Sequence, residues 1–214
     1  MRLARALWQG ISVSRPEHRL LQAIRDRIDP AALGGRSIVS AGLPREVFVC
    51  QPDAHCRGTV RNRLAQLYNL LRQQAEDDGR LQPGSPLIRR WTLSYDIFLP
   101  GHGRFVEVDE RQHFSKTRLD RLAVQRNRRK APLYPASFWA QAFKPLVRSP
   151  SRDLDPPWRD EARAYRDECR EILPVAYGLR PTVRIDVFSL AQATGKEAEM
   201  LEDLLFNSIS GVQE

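Results

Sequence analysis

The chain has 214 residues, is 42% hydrophobic and 28% charged, and carries a formal net charge of +8. That length and balance fit one globular domain with a sizeable core and exclude a disordered or fibrous chain. No apolar run approaches the ~20 residues that a membrane helix needs, and Met1-Arg-Leu-Ala-Arg-Ala-Leu-Trp8 lacks the apolar centre and cleavage site of a secretion signal. A cytoplasmic protein without a membrane partner is therefore expected. Three cysteines do not make a disulfide scaffold. The positive charge favours polyanionic partners, nucleic acid first. Almost all of it is Arg, with Lys only at 116, 130, 144 and 196; coding bias produces such a skew as readily as function does.

Taken in order, Ser14-Arg-Pro-Glu17 has the spacing of a capping box. The helix it opens carries Leu20, Leu21, Ile24 and Ile28 and stops at Asp29-Pro30. Residues 37–50 hold short apolar runs around Gly42-Leu-Pro44 and predict one or two short strands. Residues 59–74 predict a helix with Leu64, Leu67, Tyr68, Leu70 and Leu71 as its apolar stripe and Arg57, Arg61, Arg63 and Arg72 as positive charge elsewhere on it. Residues 91–99 and 105–109 alternate as strands. Residues 116–130 are basic. Residues 131–157 are Pro-rich and read as an irregular insertion. A helix is expected over 158–173, with Ala162, Tyr165 and Cys169 on one side. A strand follows over 181–189, and a last helix over 197–209. No internal repeat is visible. The order predicts a single mixed α/β domain over 1–214.

Chemistry concentrates on the strand pair. Pro100-Gly-His-Gly103 is a four-residue hairpin loop. If it sets the register, Phe98 faces Phe105 and Asp96 faces Glu107. Opposed residues share a face of an antiparallel pair with Cβ atoms roughly 5 Å apart. Asp109 stands two residues further along that face, and His113 follows. Clustered carboxylates repel and raise each other's pKa. A hard divalent cation removes the conflict, and Mg²⁺ commonly takes one or two carboxylates and completes its shell with water and phosphate oxygens. The pattern points to a metal site acting on phosphate esters, with Asp96, Glu107 and Asp109 as ligands.

Other clusters are weaker. Cys50-x5-Cys56 with His55 has zinc-type residues but no second pair, so ordinary thiols are expected. His102 reads as an exposed turn residue. Gly101-x-Gly103 is too short for a nucleotide loop. The arginines of 116–130 read equally well as a solvated helix face or as phosphate contacts.

The spacing of Asp96, Glu107-Val-Asp109 and His113 resembles the core motif of the PD-(D/E)XK, or restriction-endonuclease-like, superfamily. It is most similar to the very-short-patch-repair-like small endonucleases. The resemblance spans about 59–190, with 1–36 as an N-terminal helical extension and 131–157 as extra. It implies a mixed central sheet flanked by helices, with the active site on the hairpin. The helix 59–74 would be the first core helix, and 158–189 the closing helix and strand. The implied function is a metal-dependent endonuclease hydrolysing phosphodiester bonds in DNA, in repair or defence, with Mg²⁺ and Mn²⁺ as a substitute. The alternative is a catalytically impaired relative that binds nucleic acid or a protein partner. A third reading, of another class, is a small interaction protein whose acids are only surface. A homodimer is compatible with any of these.

Asp96 would be the central metal ligand, Glu107 the first acid of the second strand, and His113 the downstream proton carrier. Gln112 would orient water or phosphate. Lys116, Arg118, Arg121, Arg126, Arg128, Arg129 and Lys130 would contact nucleic acid. Two departures stand out. Asp109 sits where many members have Lys, and Glu110 where the small enzymes often have Gly.

Overall fold

Four strands in the order β1-β2-β3-β4 form one mixed sheet in the computed structural model, which describes residues 16–109, 113, 115, 117–118 and 157–207. The elements are α1 (Pro16–Arg27), β1 (Leu33–Gly34), α2 (Gly58–Asp77), β2 (Ile97–Leu99), β3 (Arg104–Asp109), α3 (Arg159–Ala176), β4 (Val183–Asp186), α4 (Val187–Gln192) and α5 (Glu197–Asn207). β1, β2 and β3 pair antiparallel, and β4 lies parallel to β3.

Helices cover both faces of the sheet. In α2, Val60, Leu64, Leu67, Leu71 and Ala75 recur at helical spacing and are all buried. They pack with Tyr165, Cys169, Ile172 and Leu173 of α3 over Phe98 and Phe105. Tyr95 stacks on Phe105 with ring centroids 3.8 Å apart, and its hydroxyl donates to the Val47 carbonyl at 3.0 Å. On the opposite face, Leu20 and Ile24 of α1, Leu190 of α4, and Leu201 and Leu205 of α5 close over Ile97, Leu99, Val106, Val108, Val183 and Ile185. β3 is buried along its whole length because both of its faces are covered.

The hairpin has the register that its loop predicts, with Phe98 opposite Phe105. Pro100–His102 makes a single tight turn, and Gly103 closes it at φ 58°, a conformation open to glycine at no steric cost. The Gly101 N–H donates to Asp29 Oδ2 at 2.9 Å, which ties the hairpin tip to the end of α1.

Three expected strands differ. Residues 37–50 form 3-10 turns, Gly35–Ser40 and Arg45–Phe48, with a lone bridge from Val49 to Thr92. Gly42 at φ 70° and Pro44 interrupt the run, and Val39 turns outward at 71% exposure. The strand expected over 91–99 is regular only at Ile97–Leu99. A bend at Asp96 sends Tyr95 into one core cluster and Ile97 into the other. The strand expected to reach Ser189 ends at Asp186, whose carboxylate accepts the Ser189 N–H at 2.7 Å and caps α4. Ser14 and residues 131–156 lie outside the described residues.

Candidate active site

The bend at Asp96 builds the first half of the site. Beyond the last paired residues of β2, the backbone ladder gives way to side chains. Asp96 Oδ2 accepts the Val108 N–H at 2.9 Å, and Glu107 Oε1 accepts the Asp96 N–H at 3.2 Å. Each carboxyl group is thus held by the backbone of the other strand. Glu107 is buried at 4% exposure and Asp96 is half-buried. Burial raises the Asp96 pKa, and the Val108 N–H and Arg170 offset it only in part. Burial pushes Glu107 up to about 8, against the pull of Arg170 and with a further push from Asp96.

The second half lies two residues along the same strand and differs in kind. Asp109 is fully buried and receives the guanidinium of Arg184 from β4 in a two-pronged contact, with Nε 2.9 Å from Oδ2. Arg118 adds Nη1 at 3.4 Å. Asp167 of α3 joins them. It meets His113 Nδ1 at 3.0 Å, Arg170 Nη1 at 3.0 Å, Arg184 Nη2 at 3.3 Å and Arg118 Nη1 at 3.5 Å. Burial opposes the charge on both aspartates, but Arg184 and Arg118 outweigh it. Asp109 is held below the ordinary carboxylate value and Asp167 well below it. Glu171 lies 3.7 Å from both Arg118 and Arg184, and burial still lifts it to about 7.

Arg170 connects the halves. Its Nε donates to the Ser94 carbonyl at 2.9 Å and lies 3.3 Å from Glu107 Oε2, while Nη1 holds Asp167. The guanidinium stays charged because Glu107 and Asp167 outweigh its burial.

These placements revise the expected ligand set. The like-charge conflict is relieved by guanidinium groups, and Asp109 is already enclosed by two of them, so it does not fit a metal shell. Among the described residues no group of three His, Cys, Asp or Glu is arranged to hold a metal ion. Asp96 and Glu107 do come together, while His113 sits against Asp167 at 3.0 Å and Asp109 at 3.7 Å. Arg118, expected to contact nucleic acid, is 2% exposed and belongs to the interior network. Gln112, Lys116, Arg121, Arg126, Arg128, Arg129 and Lys130 lie outside the described residues.

His55 is structural. Its Nε2 meets the Val49 carbonyl at 2.8 Å and its Nδ1 the Tyr177 hydroxyl at 2.7 Å, so both ring nitrogens are occupied; Cys50 is buried and Cys56 exposed. His102 is half-buried in the hairpin turn.

Asp167, Arg170, Glu171 and Arg184 are not marked by the sequence pattern. One signal is present all the same: Arg184 stands alone between apolar Val183 and Ile185 in a strand buried at every position, so a buried acid has to face it. No family model, curated protein or solved structure matches this chain. No helix among the described residues is long and apolar enough to cross a membrane.

Proposed function

We propose that this chain is a metal-dependent endonuclease acting on phosphodiester bonds in DNA, with Asp96 and Glu107 as an acidic pair rather than part of a triad. The observation that carries this reading is the pair itself: two carboxyl groups at the hairpin end, both raised in pKa by burial, with Arg170 pulling on both and Arg184 adding a smaller pull on Glu107. A buried acid raised as far as Glu107, with a second raised carboxyl beside it, is a candidate functional site. The order α2, hairpin β2–β3, α3, β4 supports a restriction-endonuclease-like core, since the superfamily runs helix, strand hairpin, helix, strand.

The pair fits one hard cation. Each carboxylate keeps accepting positions beyond its single backbone hydrogen bond, and Mg²⁺ is commonly held by one or two protein carboxylates. When bound, such an ion lowers the pKa of its water and offsets charge on the scissile phosphate. Asp109 takes no part. Arg170 supplies a fixed positive charge beside Glu107, where the motif's Lys is absent. His113 places Nδ1 against Asp167, and a ring nitrogen facing a carboxylate donates to it, which leaves Nε2 as the atom for proton exchange. Proton transfer at Nε2, from a water or to a leaving oxygen, is the role left open to it.

The second reading is a nuclease-fold protein that binds nucleic acid without cutting it. It is favoured by the Arg170–Glu107 contact at 3.3 Å, which already provides a counter-charge for the pair. Incubation with plasmid and single-stranded DNA in Mg²⁺, Mn²⁺ or EDTA separates the two. Metal-dependent nicking that falls to background in Asp96→Ala and Glu107→Ala is the expected result. Salt-sensitive binding with no cleavage in any metal contradicts catalysis and supports the binding protein.

A further inference from the structure

α3 presents one long flank. Trp158 just before it, then Ala162, Arg166 and Arg170, recur every fourth residue and wind slowly around the helix over about 18 Å. Residues 89–96 run beside that flank. The carbonyl of Arg90 lies 3.5 Å from Arg166 Nη2, and the carbonyl of Ser94 accepts Arg170 Nε at 2.9 Å. Arg170 then reaches Glu107. Along this segment Leu93 and Tyr95 are buried, whereas Arg90, Thr92 and Ser94 are exposed. The solvent side therefore offers a guanidinium and two hydroxyls, leading toward the half-buried Asp96.

The far end of the seam opens into a cleft of about 630 Å³, whose walls include Arg80, Arg89 and Trp158. That volume lies within the range of small-molecule sites. Arg80 is already paired with Glu161 at 2.8 Å. Arg89 and Arg90 are exposed, and among the described residues neither is paired with a carboxylate.

We infer that this seam is the track for one polynucleotide strand, with Arg90 and Arg166 on its phosphates and the Arg89–Trp158 cleft taking an unstacked base. The inference rests on the proposed action on nucleic acid and adds where the strand lies. Arg89, Arg90 and Arg166 gather three guanidinium groups at one end of the segment, which suits a polyanion, and an indole lining the same cleft as an unpaired guanidinium suits a base with its phosphate. The track ends at the acid pair, so a strand lying in it brings a phosphodiester to Asp96 and Glu107.

The test is binding of a fluorescein-labelled thymidine decamer, and of an abasic decamer, to the full chain across a salt series without divalent metal. Arg90→Ala and Arg89→Ala are each expected to weaken the decamer and to lower the slope of log affinity against log salt by about 0.7 for every phosphate that is no longer neutralised. Trp158→Ala weakens the thymidine decamer roughly 5- to 100-fold and the abasic one little. Trp158→Phe restores part of that binding and guards against a folding artefact. Arg63→Ala, an exposed cation of α2, changes nothing. Wild-type affinity in the Arg89, Arg90 and Trp158 variants overturns the track. If those variants also cleave plasmid as the wild type does, the nuclease reading survives alone. Equal weakening of both decamers and of polyglutamate marks a general acidic-ligand surface and also overturns the track. No binding and no cleavage by the wild type rejects both ideas.

Discussion

Glu107 and Asp109 are carboxylates two residues apart on one strand and one face, yet the fold drives them in opposite directions. Glu107 rises to about 8 and Asp109 falls below its ordinary value. Both are buried; the guanidinium groups differ. Asp109 receives Arg184 in a two-pronged contact and Arg118 beside it. Glu107 is in direct contact with Arg170, which is shared with Asp167 and the Ser94 carbonyl, and feels Arg184 only at longer range. The contrast separates a carboxylate that locks α3, β3 and β4 together from one that burial keeps largely protonated near neutral pH. A cluster of acids on a hairpin is therefore not automatically one site.

The largest expected effect comes from breaking the lock. Arg184→Ala leaves Asp109 buried without its main partner and takes one contact from Asp167, which keeps His113, Arg118 and Arg170. Removing one member of a buried pair costs about 3–5 kcal/mol. Denaturant unfolding should show that drop, or no folded protein at all. A drop under about 1 kcal/mol would place the structural weight elsewhere.

Charge removal on the two acids sharpens the comparison further. Asp109→Asn should destabilise by roughly 3 kcal/mol at pH 7, because the neutral amide removes the two-pronged carboxylate from buried Arg184 and leaves it only the longer contacts to Asp167 and Glu171. Glu107→Gln should stay within about 1 kcal/mol, since Glu107 is already mostly protonated there.

The pH dependence has a definite sign. A carboxyl whose folded pKa is raised binds more protons folded than unfolded, so stability falls as pH rises from the ordinary carboxylate range through about 8. Melting temperature should drop between pH 6 and 9 in the wild type and drop less in Glu107→Gln. Asp109 and Asp167 contribute the reverse. Their stabilisation is present above the unfolded carboxylate pKa and disappears as pH falls through their depressed folded values.

The smallest effect on stability should come from His113→Gln, which keeps a donor toward Asp167. If His113 transfers a proton, cleavage falls by about 10²- to 10⁴-fold while the melting temperature moves little. Unchanged cleavage removes His113 from the chemistry.

Local signals are legible in the sequence and distant ones are not. The hairpin register is legible because Pro100-Gly-His-Gly103 allows few pairings, and it brings Asp96 to Glu107. The helices are legible from apolar spacing, as in Leu64, Leu67 and Leu71. The strand end at Asp186 is not, since a cap and a strand residue look alike until the next turn forms. The arginine lock is illegible for a related reason: Arg184 is 75 residues from Asp109. Asp167 sits on a helix buried on several sides, including Glu161 and Glu168, which breaks the rule that charge marks the wet face. With only the acids in view, a metal ion is the natural neutraliser; the fold uses arginine for Asp109 and leaves the Asp96–Glu107 pair with much less.

The most direct test of that division is a carbon-13 titration of the Glu107 carboxyl with and without Mg²⁺. The predicted result is titration near pH 8 in the metal-free protein, moving lower when Mg²⁺ is added, with the Mg²⁺ response abolished in Asp96→Asn. A Glu107 that titrates in the ordinary carboxylate range and ignores Mg²⁺ would contradict the separation of an open acid pair from an arginine-locked one.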